Sequence, residues 1–567
     1  MADLPKRWQV KPKITPAAAQ ELGGYHPILA QLLFNRQIDS AREAEAFIAA
    51  HPRHSSDPFG LQDMSAAVER IARAVANGEH IAIYGDYDVD GITSTVLMVQ
   101  LLESYGAQVT PYIPHRFDEG YGLNIEALDS LSAKGVALVV TVDCGIRALE
   151  EVAHARRIGL DLIVSDHHHV GPELPPAVAV INPKRFDDTY PEKMLAGVGL
   201  AYKLAQALVA TLPSVDGLAA ENWLDLVALG TVADLAPLLG ENRILVRDGL
   251  RVLNATRREG LRSLMRIARL PEGALRAVNI GFQLGPRLNA AGRISEAWAA
   301  YNLLITNNEE RAERLADCLE SHNRKRRELT QTITDEARAI ALAERDEYLL
   351  FAAHESFNAG VVGLAASRLS EEYYRPAFVA EVRPDAGVSV GSARSIPEFN
   401  VSEVLDECSD LLVRYGGHAA AAGFTVTNEN RPLLAERLRA AAADRLDGKD
   451  LRPTVSIDME VPLRDLSFEV MSMLSKLEPC GYGNRIPVFV SRDVRVLSHR
   501  TVGREGKHLK FNVRAPDSAS LEAIAFGYGD WAARMPAVID VVYELEINEW
   551  QGRRSLQLNV KDLRPSI

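Results

Sequence analysis

Four short, mainly apolar runs in this chain are each followed by acidic or histidine residues, and this pattern limits the folds that the chain can adopt. The runs cover residues 81–84, 138–142, 162–165 and 226–233, and they are followed in turn by Asp86, Asp88 and Asp90, by Asp143, by Asp166, His167 and His168, and by Asp234. Short apolar runs that alternate with helical patterns are typical of a parallel α/β sheet, which binds ligands at the carboxyl ends of its strands. We therefore expect the four motifs to meet at one edge of a sheet.

The residue types in these motifs indicate a metal centre. Several hard oxygen ligands mixed with imidazole suit one or two divalent cations such as Mn²⁺ or Mg²⁺. The run 86–91 also resembles the start of a calcium-binding EF-hand loop, but the twelfth position of that loop is Leu97 instead of glutamate. One aspartate at a strand end is often only a helix cap, whereas three aspartates within five residues would repel one another strongly without a cation. The motifs thus predict a hydrolytic metal centre.

The composition indicates a globular protein with several domains. At 567 residues the chain is too long for a single core, and its 47% hydrophobic and 25% charged residues are ordinary values. No apolar stretch is long enough to span a membrane, and the first residues lack the apolar core of a signal peptide. Four scattered cysteines without a CxxC pair favour free thiols in a reducing compartment. We therefore expect a cytoplasmic protein of about three domains.

The charge of the chain does not decide whether it binds nucleic acid. The formal net charge of −13 argues against such a partner, yet nearby phosphates respond mainly to local charge. Basic residues cluster at 322–327 and at 499–514. A solvated helix face or hairpin explains each cluster equally well.

Apolar periodicity and the positions of glycine and proline divide the chain into five regions. We expect an N-terminal helical segment at 1–55, a catalytic α/β domain at 56–300, a connecting helix at 301–347, a smaller α/β domain at 348–447 and a β-rich domain at 448–567. The connecting helix is indicated because 308–347 contains neither glycine nor proline. Five or six strands with one helix in the last region fit a small Greek-key barrel of the OB type.

The motifs together resemble those of a known family. Four motifs of this chain resemble those of the DHH phosphoesterases, namely Asp88 and Asp90, Asp143, Asp166-His167-His168 and Asp234. The segment Gly416-Gly417-His418 resembles the DHHA1-type substrate-binding domain that accompanies them. The segments 285–293 and 477–484 make the chain similar to the bacterial single-strand-specific 5′→3′ exonucleases of this family. The resemblance extends from about residue 45 to the C-terminus.

One position departs from the pattern of several family members. Those members carry a histidine four residues before the first ligand aspartate, where this chain has Tyr84. The exonuclease branch shares the departure. The resemblance implies that Asp86 compensates by lying close to the cations.

The resemblance implies a site with two divalent cations, with Mn²⁺ preferred and Mg²⁺ as the abundant rival. The implied metal ligands are Asp88, Asp90, Asp143, His167 and Asp234, with Asp143 as the bridge. A water activated between the cations would attack the phosphorus. His168 would donate to a phosphate oxygen or to the leaving group. Asp166 would either orient a histidine or bind metal itself, and the sequence leaves both roles open.

An enzyme that acts at a 5′ end must bind a terminal phosphate and the strand behind it. Arginine suits this task because its planar fork binds phosphate oxygens in pairs. The candidate substrate-binding residues are Arg116, Tyr121, Arg287, Asn289, Arg293, Ser392, Arg394, Gly416, Gly417 and His418. Backbone N–H groups near Gly416 could hold phosphate. Tyr121 is either a base-stacking platform or an ordinary packing residue.

The family implies degradation of single-stranded DNA to mononucleotides in DNA recombination and repair. It also implies a single-strand-binding protein and a helicase as partners. The sequence leaves the oligomeric state open, and we expect a monomer. The connecting helix would hold the two α/β domains around a groove that admits one strand. Polarity follows from the resemblance alone. Two alternatives stay open: a phosphodiesterase of short oligonucleotides or cyclic dinucleotides, and a non-catalytic replication scaffold.

Overall fold

The computed structural model describes residues 5–50, 56–116, 119–120, 122–294, 296–516, 518–550 and 552–566, and only the backbone of Trp550. The chain forms two compact units. One unit contains residues 14–323 together with the short segment 472–486. The other contains the described part of 1–13 together with 324–471 and 487–566.

The N-terminal region contributes one strand and three helices. They are β1 (Arg7–Val10), α1 (Pro16–Glu21), α2 (Pro27–Phe34) and α3 (Ala41–Ala49). The side chains of Thr15, His26 and Ser40 each accept a hydrogen bond from the first turn of the helix that follows, which fixes where the three helices begin. The predicted domain boundary at residue 55 falls among residues 51–55, outside the described part of the chain, and stays a prediction.

The next region alternates helices and strands, as the apolar pattern predicts. Its elements are α4 (Met64–Asn77), β2 (His80–Tyr84), α5 (Val89–Ser104), β3 (Val109–Tyr112), α6 (Ile125–Ala133), β4 (Val136–Thr141), α7 (Leu149–Arg157), β5 (Asp161–Ser165), β6 (Ala179–Ile181), α8 (Gly197–Thr211), α9 (Leu224–Ala233), α10 (Gly240–Asn254), α11 (Glu259–Ile267), α12 (Ala277–Asn279), α13 (Gly285–Ile294), α14 (Trp298–Ile305) and α15 (Glu309–Ala343). A short π-helical stretch, Ile280–Leu284, joins α12 to α13. The helix α15 is 35 residues long and falls within the predicted connecting helix.

Five strands form the sheet of this region in the order β3-β2-β4-β5-β6. Every neighbouring pair is parallel, so the carboxyl ends of the strands lie at one edge. Ile81 and Ile83 pack into the apolar core on one face, whereas Ala82 and Tyr84 pack into the core on the other face. Helices therefore cover both faces and leave the carboxyl edge for the acidic motifs.

One of the four apolar runs folds differently from the prediction. Residues 226–233 lie in helix α9, so Asp234 follows a helix and not a strand. Leu226, Val227, Ala228 and Leu229 are all fully buried. A helix that is apolar on every side has the same sequence pattern as a buried strand, which is why periodicity alone gave the wrong element.

The second α/β region has a mixed five-stranded sheet. Its elements are β7 (Leu350–His354), α16 (Val362–Tyr373), β8 (Ala377–Arg383), β9 (Val388–Arg394), α17 (Val401–Glu407), β10 (Leu412–His418), β11 (Ala421–Thr427) and α18 (Arg431–Leu446). The strand order is β10-β11-β9-β8-β7, and only the pair β7–β8 is parallel. Residues 416–424, which include the Gly416-Gly417-His418 segment, lie in the β10–β11 hairpin.

The C-terminal region is β-rich. Its elements are β12 (Thr454–Ile457), β13 (Met459–Glu460), α19 (Phe468–Leu474), β14 (Val488–Val502), β15 (His508–Arg514), β16 (Leu521–Ala525), β17 (Val538–Trp550) and β18 (Arg553–Pro565). The long strand β14 pairs with both β15 and β17, which closes the sheet into a barrel. The predicted fold class is thus confirmed: a parallel α/β domain, a smaller α/β domain and an OB-type barrel. Within the described residues, no helix combines the length and the apolar character needed to cross a membrane.

Candidate metal centre

The turn between β2 and α5 presents the first three aspartates. Oδ1 of Asp88 accepts hydrogen bonds from the backbone N–H groups of Asp90 (2.9 Å) and Gly91 (3.1 Å), so Asp88 caps α5. A Cβ atom on Gly91 would lie 2.6 Å from backbone atoms of Asp86. Glycine at this position therefore lets the turn fold back closely enough to bring Asp86 beside Asp88.

The N-terminus of α8 holds Asp90 in place. Its two carboxylate oxygens accept hydrogen bonds from Gly197 N (2.7 Å) and Val198 N (2.8 Å). A Cβ atom on Gly197 would lie only 2.7 Å from the Asp143 side chain. The helix can approach both aspartates because residue 197 has no side chain.

His167 lies among carboxylates from three different segments. Its Nε2 atom is 3.0 Å from Oδ1 of Asp143, 3.9 Å from Oδ2 of Asp90 and 3.9 Å from Oδ2 of Asp234. The structure thus brings Asp234 to the same place as the strand-end motifs, although it follows a helix. We call Asp86, Asp88, Asp90, Asp143, His167 and Asp234 the acidic centre.

Asp166 has a different environment. Its Oδ1 accepts from the backbone N–H (3.0 Å) and from Nδ1 (2.7 Å) of His168, and its Oδ2 accepts from Ile146 N (2.9 Å). Although burial opposes ionisation, these bonds lower the pKa of Asp166. Oδ1 therefore orients His168, while Oδ2 is bonded to the backbone of Ile146, and this arrangement supports the first of the two predicted roles.

Among the described residues, three groups of side chains have donor atoms close enough together to hold a cation. They are Asp143 with His167 and His168, Asp90 with His167 and Asp234, and Asp86 with Asp88 and Asp143. Asp143 and His167 each belong to two groups. The buried Oδ1 atom of Asp86 accepts no hydrogen bond from the part of the chain that the structure describes. Hard oxygen donors with an imidazole and an unsatisfied carboxylate fit divalent cations.

The pKa values of the acidic centre also favour a site for divalent cations. Burial, and then the neighbouring carboxylates, raise the pKa values of Asp86, Asp90 and Asp143 well above their ordinary range. Burial and Asp88 raise the pKa of Asp234 to about 7. Burial and His168 lower the pKa of His167 to about 3, so its imidazole is neutral and can act as a ligand. The raised pKa values of Asp86, Asp90, Asp143 and Asp234 favour protonation of these carboxylates when no cation is bound, which reduces their mutual repulsion.

Arg116 and Tyr87 lie beside the acidic centre. The Arg116 guanidinium is 4.7 Å from the centroid of the Tyr87 ring, and its charge opposes the rise in the pKa of Asp86. Burial and Asp86 raise the pKa of Tyr87 to about 12, and Arg116 and Arg293 oppose this rise. Both predicted arginines are thus close to the turn that carries Asp86.

Helix α13 packs directly against that turn. Oδ1 of Asn289 accepts a hydrogen bond from Val89 N at 3.1 Å, and a Cβ atom on Gly292 would lie 2.8 Å from Tyr87 O. Asn289 therefore supports the start of α5. Arg287 on the same helix has internal partners: its Nε is 2.6 Å from Oε2 of Glu320, and its Nη1 donates to Gln283 O.

The register of the second sheet aligns the predicted residues of the smaller α/β domain. Across β10, β11 and β9, one row contains Gly416, Gly423 and Ser392, and the next row of the same face contains His418, Ala421 and Arg394. A Cβ atom on Gly363 would lie 3.1 Å from Nη2 of Arg394 and 3.2 Å from Oγ of Ser392. Gly416, His418, Ser392 and Arg394 therefore share one face, and Gly417 lies between the first two. The remaining candidate, Tyr121, lies outside the described residues.

Sequence reasoning missed one cation near the acidic centre. Lys184 donates from Nζ to the carbonyl oxygen of His167 at 2.5 Å. Burial lowers the pKa of Lys184, while the charges of Asp234 and Asp166 oppose this change. Its only sequence signal is the Asn182-Pro183 turn that precedes it, where Oδ1 of Asn182 accepts from Lys184 N.

The fold and site define a DHH-type phosphoesterase, and family models agree with this class. The model of the DHH family, N-terminal domain, matches residues 80–231; the DHHA1 domain matches 346–444; and the RecJ OB domain matches 457–562. The resemblance noted in the sequence is thereby confirmed.

The chain belongs to the RecJ family of single-stranded-DNA-specific exonucleases. The RecJ exonuclease of Bacillus subtilis (strain 168) is 40% identical over 541 residues, which cover 94% of this chain and 68% of the relative. RecJ of Escherichia coli (strain K12) is 35% identical over 563 residues, covering 95% and 96%. The crystal structure of Thermus thermophilus RecJ in complex with Mn²⁺ matches with a TM-score of 0.85 at 30% identity, covering all of this chain and 80% of the other. The same protein in complex with Mg²⁺ matches with a TM-score of 0.79.

Proposed function

We propose that this chain degrades single-stranded DNA from the 5′ end to mononucleotides, by hydrolysis that depends on two divalent cations. The observation that carries the proposal is the sharing of Asp143 and His167 between groups of cation-binding side chains. A shared carboxylate is what a pair of bridged cations requires. RecJ of Thermus thermophilus has been solved with Mn²⁺ and with Mg²⁺, which supports divalent cations as cofactors here.

The proposed ligands are Asp88, Asp90, Asp143, His167 and Asp234, with Asp86 next to them. When bound, the cations would activate a water as nucleophile and stabilise negative charge on the phosphoryl group. A neutral imidazole among the oxygen ligands favours Mn²⁺ over Mg²⁺, because nitrogen is a softer donor. Gly197 N and Val198 N orient Asp90 from behind.

His168 is proposed to move a proton. Its Nδ1 atom is hydrogen-bonded to Asp166, which fixes the orientation of the imidazole ring. Although burial opposes it, the hydrogen bond with Asp166 raises the pKa of His168. A protonated imidazole can donate to a phosphate oxygen or to the leaving oxygen of the cleaved bond.

The terminal phosphate is proposed to bind Arg116 and Arg293, which lie beside Tyr87 and the acidic centre. Phosphates of the strand are proposed to bind the shared face that carries Ser392, Arg394 and His418, with the Gly416-Gly417 backbone beside them. Arg287 and Asn289 would act mainly by shaping helix α13. Tyr121 stays a prediction.

The cellular role is inferred from the family. We propose a cytoplasmic monomer that acts in DNA recombination and repair, together with a single-strand-binding protein and a helicase. Exonucleases for single strands need a partner that unwinds the duplex, which is the reason to expect a helicase.

The decisive experiment is digestion of a long single strand labelled at either end, in Mn²⁺, Mg²⁺ or EDTA. We expect metal-dependent release of mononucleotides from the 5′ end, none from a blunt duplex, and none with Asp143→Ala. Asp129→Ala is the matched control, because Asp129 is an exposed aspartate paired only with His154 among the described residues. Release from the 3′ end would contradict the polarity, and cleavage of dinucleotides alone would indicate a short-substrate phosphodiesterase.

A further inference from the structure

The loop between β3 and α6 carries Arg116, and the carboxylate of Glu119 forms hydrogen bonds with several residues near Arg116. Oε2 of Glu119 accepts hydrogen bonds from the Tyr112 hydroxyl (2.5 Å) and from Nδ2 of Asn124 (2.9 Å). Oε1 accepts from the backbone N–H of His115 (2.7 Å). Glu119 therefore ties the residue before Arg116 to the end of β3 and to the start of α6.

Tyr84 supports the same loop from the sheet. Its hydroxyl donates to the carbonyl oxygen of Gly122 at 3.0 Å, and Nδ2 of Asn124 is 3.3 Å from the same hydroxyl. Its ring stacks on that of Tyr112 with centroids 4.8 Å apart. Tyr84 is fully buried and lies two residues before Asp86. The loop is thus attached to the strand that leads into the acidic centre.

The position and charge of Glu119 indicate a role beyond stabilising the fold. It is exposed and lies three residues from Arg116, on a loop that is proposed to receive an anionic phosphate. A carboxylate so placed repels that phosphate, so some benefit must offset the repulsion. Burial opposes its ionisation, but the hydrogen bonds from Tyr112, His115 and Asn124 lower its pKa overall. All three of these residues donate hydrogen bonds to Glu119. A glutamine at position 119 would place its NH₂ group, which is itself a donor, against at least one of them.

We propose that Glu119 is a positioning residue for recognition of the DNA terminus. By tying His115 to Tyr112 and Asn124, it holds Arg116 against Tyr87, beside the acidic centre. This inference rests on the proposed role of Arg116 in binding the terminal phosphate. Glu119 itself does not touch the DNA.

The test compares KM and kcat for single strands of one sequence that end in a 5′-phosphate or a 5′-hydroxyl. The variants are Glu119→Gln, Arg116→Ala and the double variant. Glu126→Gln is the control: Glu126 is exposed in the first turn of α6, close to the same loop, and loses the same charge. We expect Glu119→Gln to raise KM about 10-fold for the phosphorylated strand, with kcat within about 2-fold and little change for the hydroxyl strand.

The double variant distinguishes positioning from general damage. If Glu119 acts through Arg116, Glu119→Gln will add less than about 2-fold to the KM of Arg116→Ala. Tyr112→Phe removes one donor and keeps the ring stack, and it should raise KM about 3-fold with the same dependence on Arg116. This milder variant gives the answer even where Glu119→Gln fails to fold.

Two results would overturn the proposal, and they can be told apart. If Glu119→Gln and Tyr112→Phe match Glu126→Gln while Arg116→Ala loses the preference for phosphate, Glu119 has no positioning role and the proposed function stands. If the unaltered protein does not distinguish the two ends and Arg116→Ala leaves KM unchanged, terminal-phosphate recognition and the role of Glu119 fail together.

Discussion

Two of the buried charged clusters in the catalytic region are built in opposite ways. In the acidic centre, carboxylates from three segments face one another around His167. In the second cluster, the guanidinium of Arg243, which is 2% exposed, donates to backbone carbonyl oxygens from all three of its nitrogens. The acceptors are Phe47 O, Leu477 O, Pro479 O, Lys476 O and Glu478 O, and the guanidinium also lies 4.0 Å from the centroid of the Phe47 ring.

The two clusters differ in what balances their charge. Burial lowers the pKa of Arg243 only to about 10, so it stays charged and its carbonyl partners satisfy it. In the acidic centre, burial and then the neighbouring carboxylates instead raise the pKa values of Asp86, Asp90 and Asp143. A buried charge that its own chain satisfies holds the fold together, whereas like charges left together mark a place for a ligand.

The largest expected effect is on activity when the acidic centre loses its shared ligand. Asp143→Asn keeps the shape of the side chain and removes its charge, and we expect hydrolysis to fall by about 10³-fold or more. Unfolding of the metal-free protein in EDTA should occur at the same or a higher temperature, because one repulsive charge is gone. A large loss of stability in EDTA would mean that Asp143 is structural.

The opposite result is expected for Arg243. Arg243→Ala leaves buried carbonyl oxygens without donors and should destabilise the protein by about 3 kcal/mol in denaturant unfolding. The activity per folded molecule should stay within a few-fold. Arg251→Ala, on the same helix but largely exposed, should change stability by less than about 0.5 kcal/mol. If Arg243→Ala abolished catalysis in folded protein, the contrast between the clusters would be wrong.

Gly197 tests how closely α8 must approach the acidic centre. Gly197→Ala places a methyl group 2.7 Å from Asp143, and the displaced carboxylates should reduce kcat/KM by about 10²-fold. Gly199→Ala lies on the same helix, and its Cβ atom would meet Leu195 at an ordinary 3.5 Å. Comparable losses in both variants would point to helix packing instead of ligand geometry.

The smallest expected effect is a shift of stability with pH. In the metal-free protein the folded-state pKa of Asp234 is about 7, above its ordinary value, so the stability it contributes is present at low pH and is lost as pH rises through about 7. Cations must displace these protons. Added Mn²⁺ should therefore raise the unfolding temperature more at about pH 8 than at about pH 6, by a few degrees. If Mn²⁺ raised the unfolding temperature equally at both pH values, the result would argue against protonated carboxylates in the acidic centre.

Local patterns predicted the elements that carry most of the acidic centre. The strand ends at Tyr84, Thr141 and Ser165 lie where apolar runs stop, and the parallel sheet brings the motifs after them to one edge. The pattern failed at 226–233, because total burial erases the difference between a helix and a strand. Spacing also gave no sign of Lys184 or of the carbonyl partners of Arg243, since contacts between distant segments leave no local period.

The sequence by itself determined the fold class, the family and the residue types of the acidic centre, because apolar periodicity and motif order are local properties of the chain. Only the tertiary structure decided how those residues are supported. Gly197 packs against Asp143, which lies more than fifty residues away in the chain, and Asn289 accepts a hydrogen bond from Val89 N across a similar boundary between elements. Glu119 accepts hydrogen bonds from three donors around the loop that carries Arg116. Shifts of a few tenths of an ångström between packed elements would change such contacts, and close packing sets the positions of the elements only once the whole core is assembled.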